Sequence, residues 1–356
     1  MQICFDTQNI YYLPQYLPVA NELQHRGHQC EFVVYEDKND KKLLDTEEIT
    51  EEYKITWVKN ESAAYDHYMN RRPDWIFFGN TFPHLDNIHQ YSNTAQLGHG
   101  IGPKPSYYHK SSTPMTVRFM EGELRLNKIR ELYPDGNFVQ TGFSKLDPLF
   151  SPDKNDTFSY PATLDPAKKT ILYAPTFNPS SIEMFPDDWP ADFPDFNIII
   201  KPHAISLNRK RYEKQRNKFH LWEKYKNVYL TEETEYSLIP FMAVSDILLS
   251  EASSTLFEFA ALDRPVIICD FYKLKWTYRG IFKFRFRQRF EKDNVLYKDI
   301  GKHVRTYDEL RTTIPQQLDN VGEYHTQRKQ YTREHVGVTD GKASARICDY
   351  LEKYKN

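Results

Sequence analysis

Short apolar runs alternate with amphipathic segments along the first half of the chain. The amphipathic segments at 14–26 and 121–133 predict helices. The apolar runs predict strands at QICFD (2–6), CEFVVY (30–35), DWIFFGN (74–80), TAQLGHG (94–100), PMTVRF (114–119) and NFVQTG (137–142). Strands separated by helices are typical of a parallel sheet that is covered on both faces.

The alternation stops at 151–168, which is rich in Pro and Asp and has no periodicity, and then resumes. We interpret this stretch as an interdomain linker. The strands predicted after it are TILYAPTF (170–177), FNIIIKPH (196–203), NVYLT (227–231), DILLSE (246–251) and PVIICD (265–270). They are continuously apolar, as parallel strands buried on both faces should be. Helices are expected at 255–262, from about 307 onward, and at 340–354, where Asp340 and Gly341 occupy the capping position.

A chain of 356 residues exceeds the usual size of a single core, which favours two domains. We predict a doubly wound α/β domain over 1–150, the linker over 151–168, a second α/β domain over 169–335 and a C-terminal helix over 336–356. In such sheets ligands bind outside the carboxyl ends of the strands. We therefore expect a central cleft that both sheets face, lined by residues that follow strands.

Composition narrows the function classes. The net charge is −2, so no surface suited to nucleic acid is implied. Four scattered cysteines without C-x-x-C spacing indicate reduced thiols, and no acidic cluster suggests a metal, so we expect neither metal nor cofactor. The N-terminus does not look like a signal peptide, and no apolar run reaches the ~18 residues of a membrane span. We expect a cytoplasmic protein, peripheral on the inner membrane face at most.

The segment SEASST (250–255) connects a predicted strand to a predicted helix. Ser253, Ser254 and Thr255 place hydroxyls at a helix start, where free N–H groups and the helix dipole attract anions. Glu258, one turn further on, is suited to accept hydrogen bonds from the ribose of a nucleotide. The alternative is that these residues only cap the helix. We favour a phosphate-binding turn.

Two other strand ends of the second half carry ligand-binding side chains. Lys201 and His203 end FNIIIKPH, and we expect His203 to lie next to the SEASST turn and to donate to a phosphate oxygen. The alternative for His203 is an ordinary surface histidine. Thr176 follows the TILYAP run and is a further candidate for ligand contact. The alternative is that Pro175 simply shapes that loop.

In the first half, G-H-G at 98–100 is the main candidate. Gly98 and Gly100 would allow close approach to His99, as a general base acting on a hydroxyl requires. Lys145 and Asp147 follow another strand, where a turn with solvated charges explains them equally well.

The segment 272–292 alternates bulky apolar with basic side chains at 281–287. We favour a half-buried strand. The other interpretation is a cationic, aromatic surface that binds an anionic polymer or lipid headgroups.

Together these motifs resemble the CDP-glycerol glycerophosphotransferases, the primases and polymerases of teichoic acid and capsule synthesis. The similarity runs over about 95–350, and its most specific part is S-S-T-L-F-E-F-A-A-L-D-R-P. It implies a GT-B fold with the CDP-polyol donor on the C-terminal domain and a polyol-phosphate or glycan acceptor, lipid-linked or polymeric, on the N-terminal one. It also implies that His99 is the base, that His203 contacts the pyrophosphate, and that 253–255 hold the phosphates.

The chain departs from the family pattern at ligand-side positions. Gly98 stands where the family usually has Trp, Asn178 where it has Arg, and Glu251 where it has Asp, and Ser144 and Lys145 replace Pro-Arg. These departures leave other functions open: transfer of another polyol phosphate, a GT-B glycosyltransferase or epimerase acting on a nucleotide sugar, or a non-catalytic binder of anionic polymer.

Overall fold

The computed structural model describes residues 1–36, 52–98, 100–101, 108–151, 160–251, 253–272 and 299–354. They form two compact units, one of Met1–Lys154 with Arg333–Asn356 and one of Asn155–Thr332. The end of the chain, predicted as a separate C-terminal helix, thus belongs to the first unit. His99 and the basic aromatic segment after Tyr272 lie outside the described residues.

The first unit is built on a seven-stranded parallel sheet in the order β3-β2-β1-β4-β5-β6-β7. Its strands are β1 Gln2–Thr7, β2 Gln29–Tyr35, β3 Lys54–Val58, β4 Trp75–Phe78, β5 Asn93–Leu97, β6 Val117–Met120 and β7 Phe138–Gln140. Its helices are α1 Leu13–His25, α2 Glu61–Arg71, α3 Leu85–Ile88, α4 Glu123–Leu132 and α5 Asp147–Phe150. The helix α12 Ala343–Lys353, near the end of the chain, completes this unit.

Aromatic rings hold the first sheet together. Phe5 on β1 stacks between Phe32 on β2 and Phe77 on β4, with ring centroids 5.0 and 4.9 Å away. All three rings are fully buried, and burial of one such side chain contributes roughly 1.5–3 kcal/mol. On the neighbouring strand positions, Cys4 and Ile76 pack in a separate cluster with residues of α2 and α3. Both faces of the sheet are therefore covered, as the sequence predicted.

The second unit contains a six-stranded parallel sheet in the order β10-β9-β8-β11-β12-β13. Its strands are β8 Thr170–Tyr173, β9 Asn197–Ile200, β10 Val228–Leu230, β11 Ile247–Ser250, β12 Val266–Cys269 and β13 Lys302–Val304. Its helices are α6 Ala204–Asn208, α7 Glu213–Trp222, α8 Ile239–Val244, α9 Thr255–Ala260, α10 Tyr307–Asp319 and α11 His325–Tyr331, and the chain ends with α12 Ala343–Lys353 in the first unit.

The two sheets share one topology. In each, the chain builds three strands outward in one direction and then continues from the first strand in the other direction, which is a doubly wound sheet. The order reverses between β1 and β4 in the first unit and between β8 and β11 in the second. The predicted class of two doubly wound α/β units is confirmed. In the described part of the chain, every helix is too short or too polar to cross a bilayer.

The sequence analysis did not predict two of the strands. β3 (KITWV) and β13 (KHV) each begin with lysine and lie at an edge of their sheet, so neither is a continuous apolar run. An edge strand is paired on one side only, and its sequence carries a correspondingly weaker apolar signal.

The start of α12 differs from the prediction. Its N-cap residue is Lys342, while Asp340 accepts a hydrogen bond from the Lys342 N–H at 3.1 Å. Asp147, distant in sequence, accepts from the N–H groups of Ala343 and Ser344 at 3.0 and 2.7 Å. The cap predicted at Asp340 and Gly341 is therefore wrong in its main acceptor, because the Asp147 carboxylate accepts from the first N–H groups of the helix.

We expect Asp147→Ala to lower the free energy of unfolding by about 1–2 kcal/mol, because two N–H groups of α12 lose their acceptor. Equilibrium denaturation followed by circular dichroism measures this change. Asp349→Ala is the matched control, since Asp349 lies on the same helix and its main partner is Arg26 at its surface. An equal loss of stability in both variants would contradict the capping role.

Candidate functional site

The candidate site lies at the carboxyl edge of the second sheet, where the strand order reverses. Tyr173 at the end of β8 pairs with Ile200 of β9 on one side and with Leu249 of β11 on the other. The segments that follow these three strands therefore leave the sheet side by side. One difference from the sequence prediction emerges: β8 separates the strand that leads to His203 from the strand that leads to the SEASST turn, so the two are about 10 Å apart at the sheet.

The start of α9 carries the predicted hydroxyls. Ser254 is the N-cap residue, yet its side chain makes no capping hydrogen bond to the described residues. Ser253 accepts a long hydrogen bond from the Thr255 N–H at 3.3 Å and donates to the Thr255 hydroxyl at 3.1 Å. Because α9 has only six residues, its dipole is small, and anion attraction here depends on local N–H and hydroxyl groups.

Glu258 lies in the first turn of α9 and is 1% exposed. Its carboxylate is thus buried in the unit. The ribose contact inferred from the sequence remains a prediction.

Glu251, which immediately follows β11, is the residue that the sequence analysis missed as part of the site. It is fully buried and accepts hydrogen bonds from the N–H groups of Thr176 and Ser181, both at 2.7 Å, and from the Ser181 hydroxyl at 2.5 Å. Burial raises the pKa of Glu251 to about 7, against the opposing effect of these donors. One carboxyl group therefore fixes the loop after β8 to the end of β11. An acidic residue directly after an apolar strand was the available signal.

Thr176 lies half-buried in this fixed loop. Its hydroxyl donates to the Pro179 carbonyl, within the same loop, while its N–H donates to Glu251. The structure thus brings Thr176 to the reversal point of the sheet, and its contact with a ligand remains a prediction.

His203 is the N-cap residue of α6 and is exposed. Its Nδ1 accepts a hydrogen bond from the Ile205 N–H at 3.1 Å, and its ring meets the Phe177 ring edge-on at 4.9 Å. A neutral imidazole that accepts at Nδ1 carries its proton on Nε2. These contacts orient the ring and place Nε2 on its far side.

Lys201 follows β9 directly and is half-buried. Burial lowers the pKa of its ammonium to about 8, and Glu235 opposes this shift. Within the described residues the ammonium has no hydrogen-bond partner. A partly desolvated cation at the edge of the sheet favours an anionic ligand.

The predicted residues of the first unit follow β5 and β7. Gly98 is half-buried, Gly100 is buried, and the Gly100 carbonyl accepts from Arg125 at 2.8 Å. Lys145 lies in a short 3-10 turn, half-buried, and Asp147 is occupied in capping α12. His99 cannot be placed because it lies outside the described residues.

A separate polar cluster lies near the opposite, amino-terminal edge of the first sheet. Ligand atoms of Cys4, Glu31 and His67 lie within 4.8 Å of one another, and a cavity of about 300 Å³ opens beside them. Lys54 and Arg71 approach the Glu31 carboxylate at 3.0 and 3.5 Å, and burial raises the pKa of the Cys4 thiol well above its usual range. Two cations and a protonated thiol oppose metal binding, so we interpret the cluster as an ion-pair network.

Solved structures share this architecture. The wall teichoic acid polymerase TagF superimposes with a TM-score of 0.67 at 17% identity, covering 99% of this chain and 88% of that one. The UDP-GlcNAc 2-epimerase from Neisseria meningitidis gives a TM-score of 0.61 at 17% identity, covering 99% and 100%. These similarities concern the fold, and they place the chain among proteins built from two doubly wound units of the GT-B type.

Sequence comparison narrows the class to one family. The family model described as CDP-Glycerol:Poly(glycerophosphate) glycerophosphotransferase matches residues 127–353, more than half of the chain, and the protein belongs to this family. A relative, the teichoic acid ribitol-phosphate primase of Bacillus spizizenii, is 25% identical over 195 residues, which cover 52% of this chain and 44% of the primase. The chain spans about half the length of the curated relatives it matches. The family resemblance noted in the sequence is confirmed.

The buried Glu251 carboxyl predicts a specific pH dependence of stability. Because its pKa is raised from 4.5 to about 7 in the folded chain, the folded state favours the protonated form. Its contribution is therefore complete below pH 4.5 and is lost as the pH rises through 7. The free energy of unfolding of the wild type, minus that of Glu251→Gln, should fall by up to about 1.4 kcal/mol per pH unit across this window. Urea denaturation at several pH values measures it, and a difference independent of pH would refute the assignment.

Proposed function

We propose that the protein transfers glycerol phosphate, or a related polyol phosphate, from a CDP-polyol to a hydroxyl of a polyol-phosphate or glycan acceptor in the synthesis of teichoic acid or a capsule-type polymer. The observation that carries the proposal is that Lys201, His203 and the hydroxyls of 253–255 all follow strands at the carboxyl edge of the second sheet, on either side of β8, in a chain of this family. A lipid-linked acceptor and peripheral membrane contact through 272–292 form part of the proposal.

The donor side of the reaction is assigned to the second unit. A pyrophosphate carries two negative charges, and an ammonium, an imidazole N–H and hydroxyl donors are the groups that bind such an anion. Ser254 has a hydroxyl that capping does not use, and Lys201 has an ammonium without a described hydrogen-bond partner. Both observations favour a phosphate ligand over a purely structural role.

The chemical step follows from these groups. The acceptor oxygen attacks the β-phosphorus of the CDP-polyol, the bond from that phosphorus to the bridging oxygen breaks, and CMP leaves with the bridging oxygen. The acceptor hydroxyl gives its proton to His99, which we assign as general base. His203, whose Nε2 carries the proton, donates to a phosphate oxygen and stabilises the charge that develops on CMP.

The nucleotide that the protein releases shows which donor it uses and thereby tests the proposed function. We expect CMP to be released from CDP-glycerol or CDP-ribitol in the presence of a polyol-phosphate acceptor, and no UDP to be released from UDP-sugars. Chromatography of the nucleotide products measures this. His99→Ala should abolish transfer but leave CDP affinity near that of the wild type, because the nucleotide contacts are assigned to the other unit.

Other outcomes decide between the alternatives. Release of UDP, or interconversion of a UDP-sugar, would replace the proposal by a nucleotide-sugar enzyme. Binding of anionic polymer without nucleotide affinity would replace it by a non-catalytic binder. Transfer that survives His99→Ala would show that the base is another residue.

Lys201 predicts how donor affinity depends on pH. Because burial lowers its pKa to about 8, the ammonium loses its proton as the pH rises through that value. The Kd for CDP-glycerol, whose pyrophosphate charge is constant in this range, should rise by up to about tenfold per pH unit above pH 8. Calorimetry from pH 7 to 9.5 measures it. Lys201→Arg stays charged and should remove the pH dependence while keeping affinity, whereas Lys201→Gln should bind weakly at every pH. Equal profiles for wild type and Lys201→Arg would contradict the assignment.

A further inference from the structure

A buried ion pair holds the backbone on both sides of position 99. Glu121 follows β6, Arg125 lies in the first turns of α4, and the exposed fractions of the two residues are 3% and 5%. The Arg125 Nη1 donates to both carboxylate oxygens of Glu121 at 2.9 Å. Its Nη2 donates to the Gly100 carbonyl at 2.8 Å. The guanidinium therefore links the end of β6 to the segment after β5.

Gly98 meets the same pair from the other side. A Cβ atom at Gly98 would lie 3.0 Å from the Arg125 Nη1 and 3.0 Å from a Glu121 carboxylate oxygen. The backbone at Gly98 thus lies directly against the ion pair, and the backbone at Gly100 is hydrogen-bonded to it. The ion pair therefore contacts the backbone at both Gly98 and Gly100.

The segment 334–337 packs against the backbone at Glu121 and Gly122. The Gly337 backbone approaches the Glu121 carbonyl so closely that a Cβ atom would lie 2.2 Å from its oxygen, and the backbone at 334–335 covers Gly122 in the same way. Burial raises the pKa of the Glu121 carboxyl, which the charge of Arg125 opposes. Desolvation of two charges offsets much of the stability that a buried ion pair gives, but the pair has a well-defined geometry.

We propose that Glu121 and Arg125 are positioning residues for the transfer reaction: their ion pair fixes the backbone at Gly98 and Gly100 and thereby sets the geometry of the catalytic base between them. This inference rests on the proposed function for its kinetic part. An arginine suits this arrangement because its planar guanidinium presents two donor nitrogens in fixed directions. One nitrogen binds the Glu121 carboxylate and the other binds the Gly100 carbonyl.

The test uses two variants of similar side-chain size. Arg125→Lys removes the pair of donor nitrogens that bind the carboxylate and the carbonyl, and Glu121→Gln removes the negative charge. Hydrogen exchange of the peptide that contains 97–101 should lose about tenfold or more of its protection in both variants. The kcat for transfer from CDP-glycerol should fall about 10- to 100-fold, because small displacements of a catalytic group have effects of that size. The Kd for CDP should stay within about twofold of the wild type, since the donor contacts are assigned elsewhere.

Two further variants serve as a control and as an independent perturbation of the same contact. Arg26→Met removes another ion pair of the first unit, with Asp349 and Glu352 at 2.7 and 2.9 Å, and should leave exchange at 97–101 and kcat unchanged. Gly98→Ala pushes a methyl group against the intact pair and should lower kcat with little effect on CDP affinity, which covers the case in which a variant of the pair fails to fold.

Each outcome decides a separate question. Unchanged exchange at 97–101 in the folded variants would overturn the tether, and increased exchange with wild-type kcat would overturn its catalytic role. A loss of kcat matched by equal losses in Arg26→Met would indicate general destabilisation and also overturn it. If the wild type transfers no polyol phosphate, the proposed function fails, while the exchange measurement still decides whether the ion pair fixes this backbone.

Discussion

The reversal of strand order between β8 and β11 is the constraint on which the second unit's chemistry depends. In a doubly wound sheet the connections on the two sides of this point cover opposite faces, which opens a crevice for ligands at the carboxyl edge. Every residue assigned to the donor follows β8, β9 or β11. In the proposed complex, a phosphate at this point meets short backbone turns and a few side chains. Hydrogen-bond donors contribute most where their positions are fixed before the ligand arrives.

Both units fix a loop with a buried carboxylate that directly follows a strand, but they balance its charge differently. Glu251 accepts from two backbone N–H groups and a hydroxyl, all neutral donors, and its pKa rises to about 7. Glu121 has a full positive charge at 2.9 Å in Arg125. The Glu251 carboxyl can therefore take up a proton near neutral pH. The Glu121–Arg125 pair keeps its geometry only while both side chains are charged.

The sequence predicts the sheets well because their strands are continuous apolar runs, and it predicts the reversal-point residues because these follow strands. Sequence analysis fails for residues whose contact partners are distant in the chain. Asp147 looks like a site residue at a strand end, yet it caps α12, nearly two hundred residues later. Arg125 looks like an ordinary helix-surface charge in α4, and only the fold brings Gly98 and Gly100 against it. Strand order, which set β8 between His203 and the SEASST turn, is likewise a property of the folded sheet and not of local sequence.

The most specific family block, S-S-T-L-F-E-F-A-A-L-D-R-P, combines ligand-facing and structural residues. Asp263 adopts a left-handed backbone conformation with φ of 58° and pairs with the buried Arg328 at 3.0 Å. Arg264 donates to three carbonyls at the end of α8. The L-D-R-P portion therefore specifies how α9 connects to α8 and α11, whereas the hydroxyls are the residues that we assign to the ligand. The departures at Glu251 and Asn178 fall in one contact region, because Glu251 binds the loop that contains Asn178. Glu251 accepts from the N–H groups of Thr176 and Ser181, so the departure at this position has a structural role in fixing that loop.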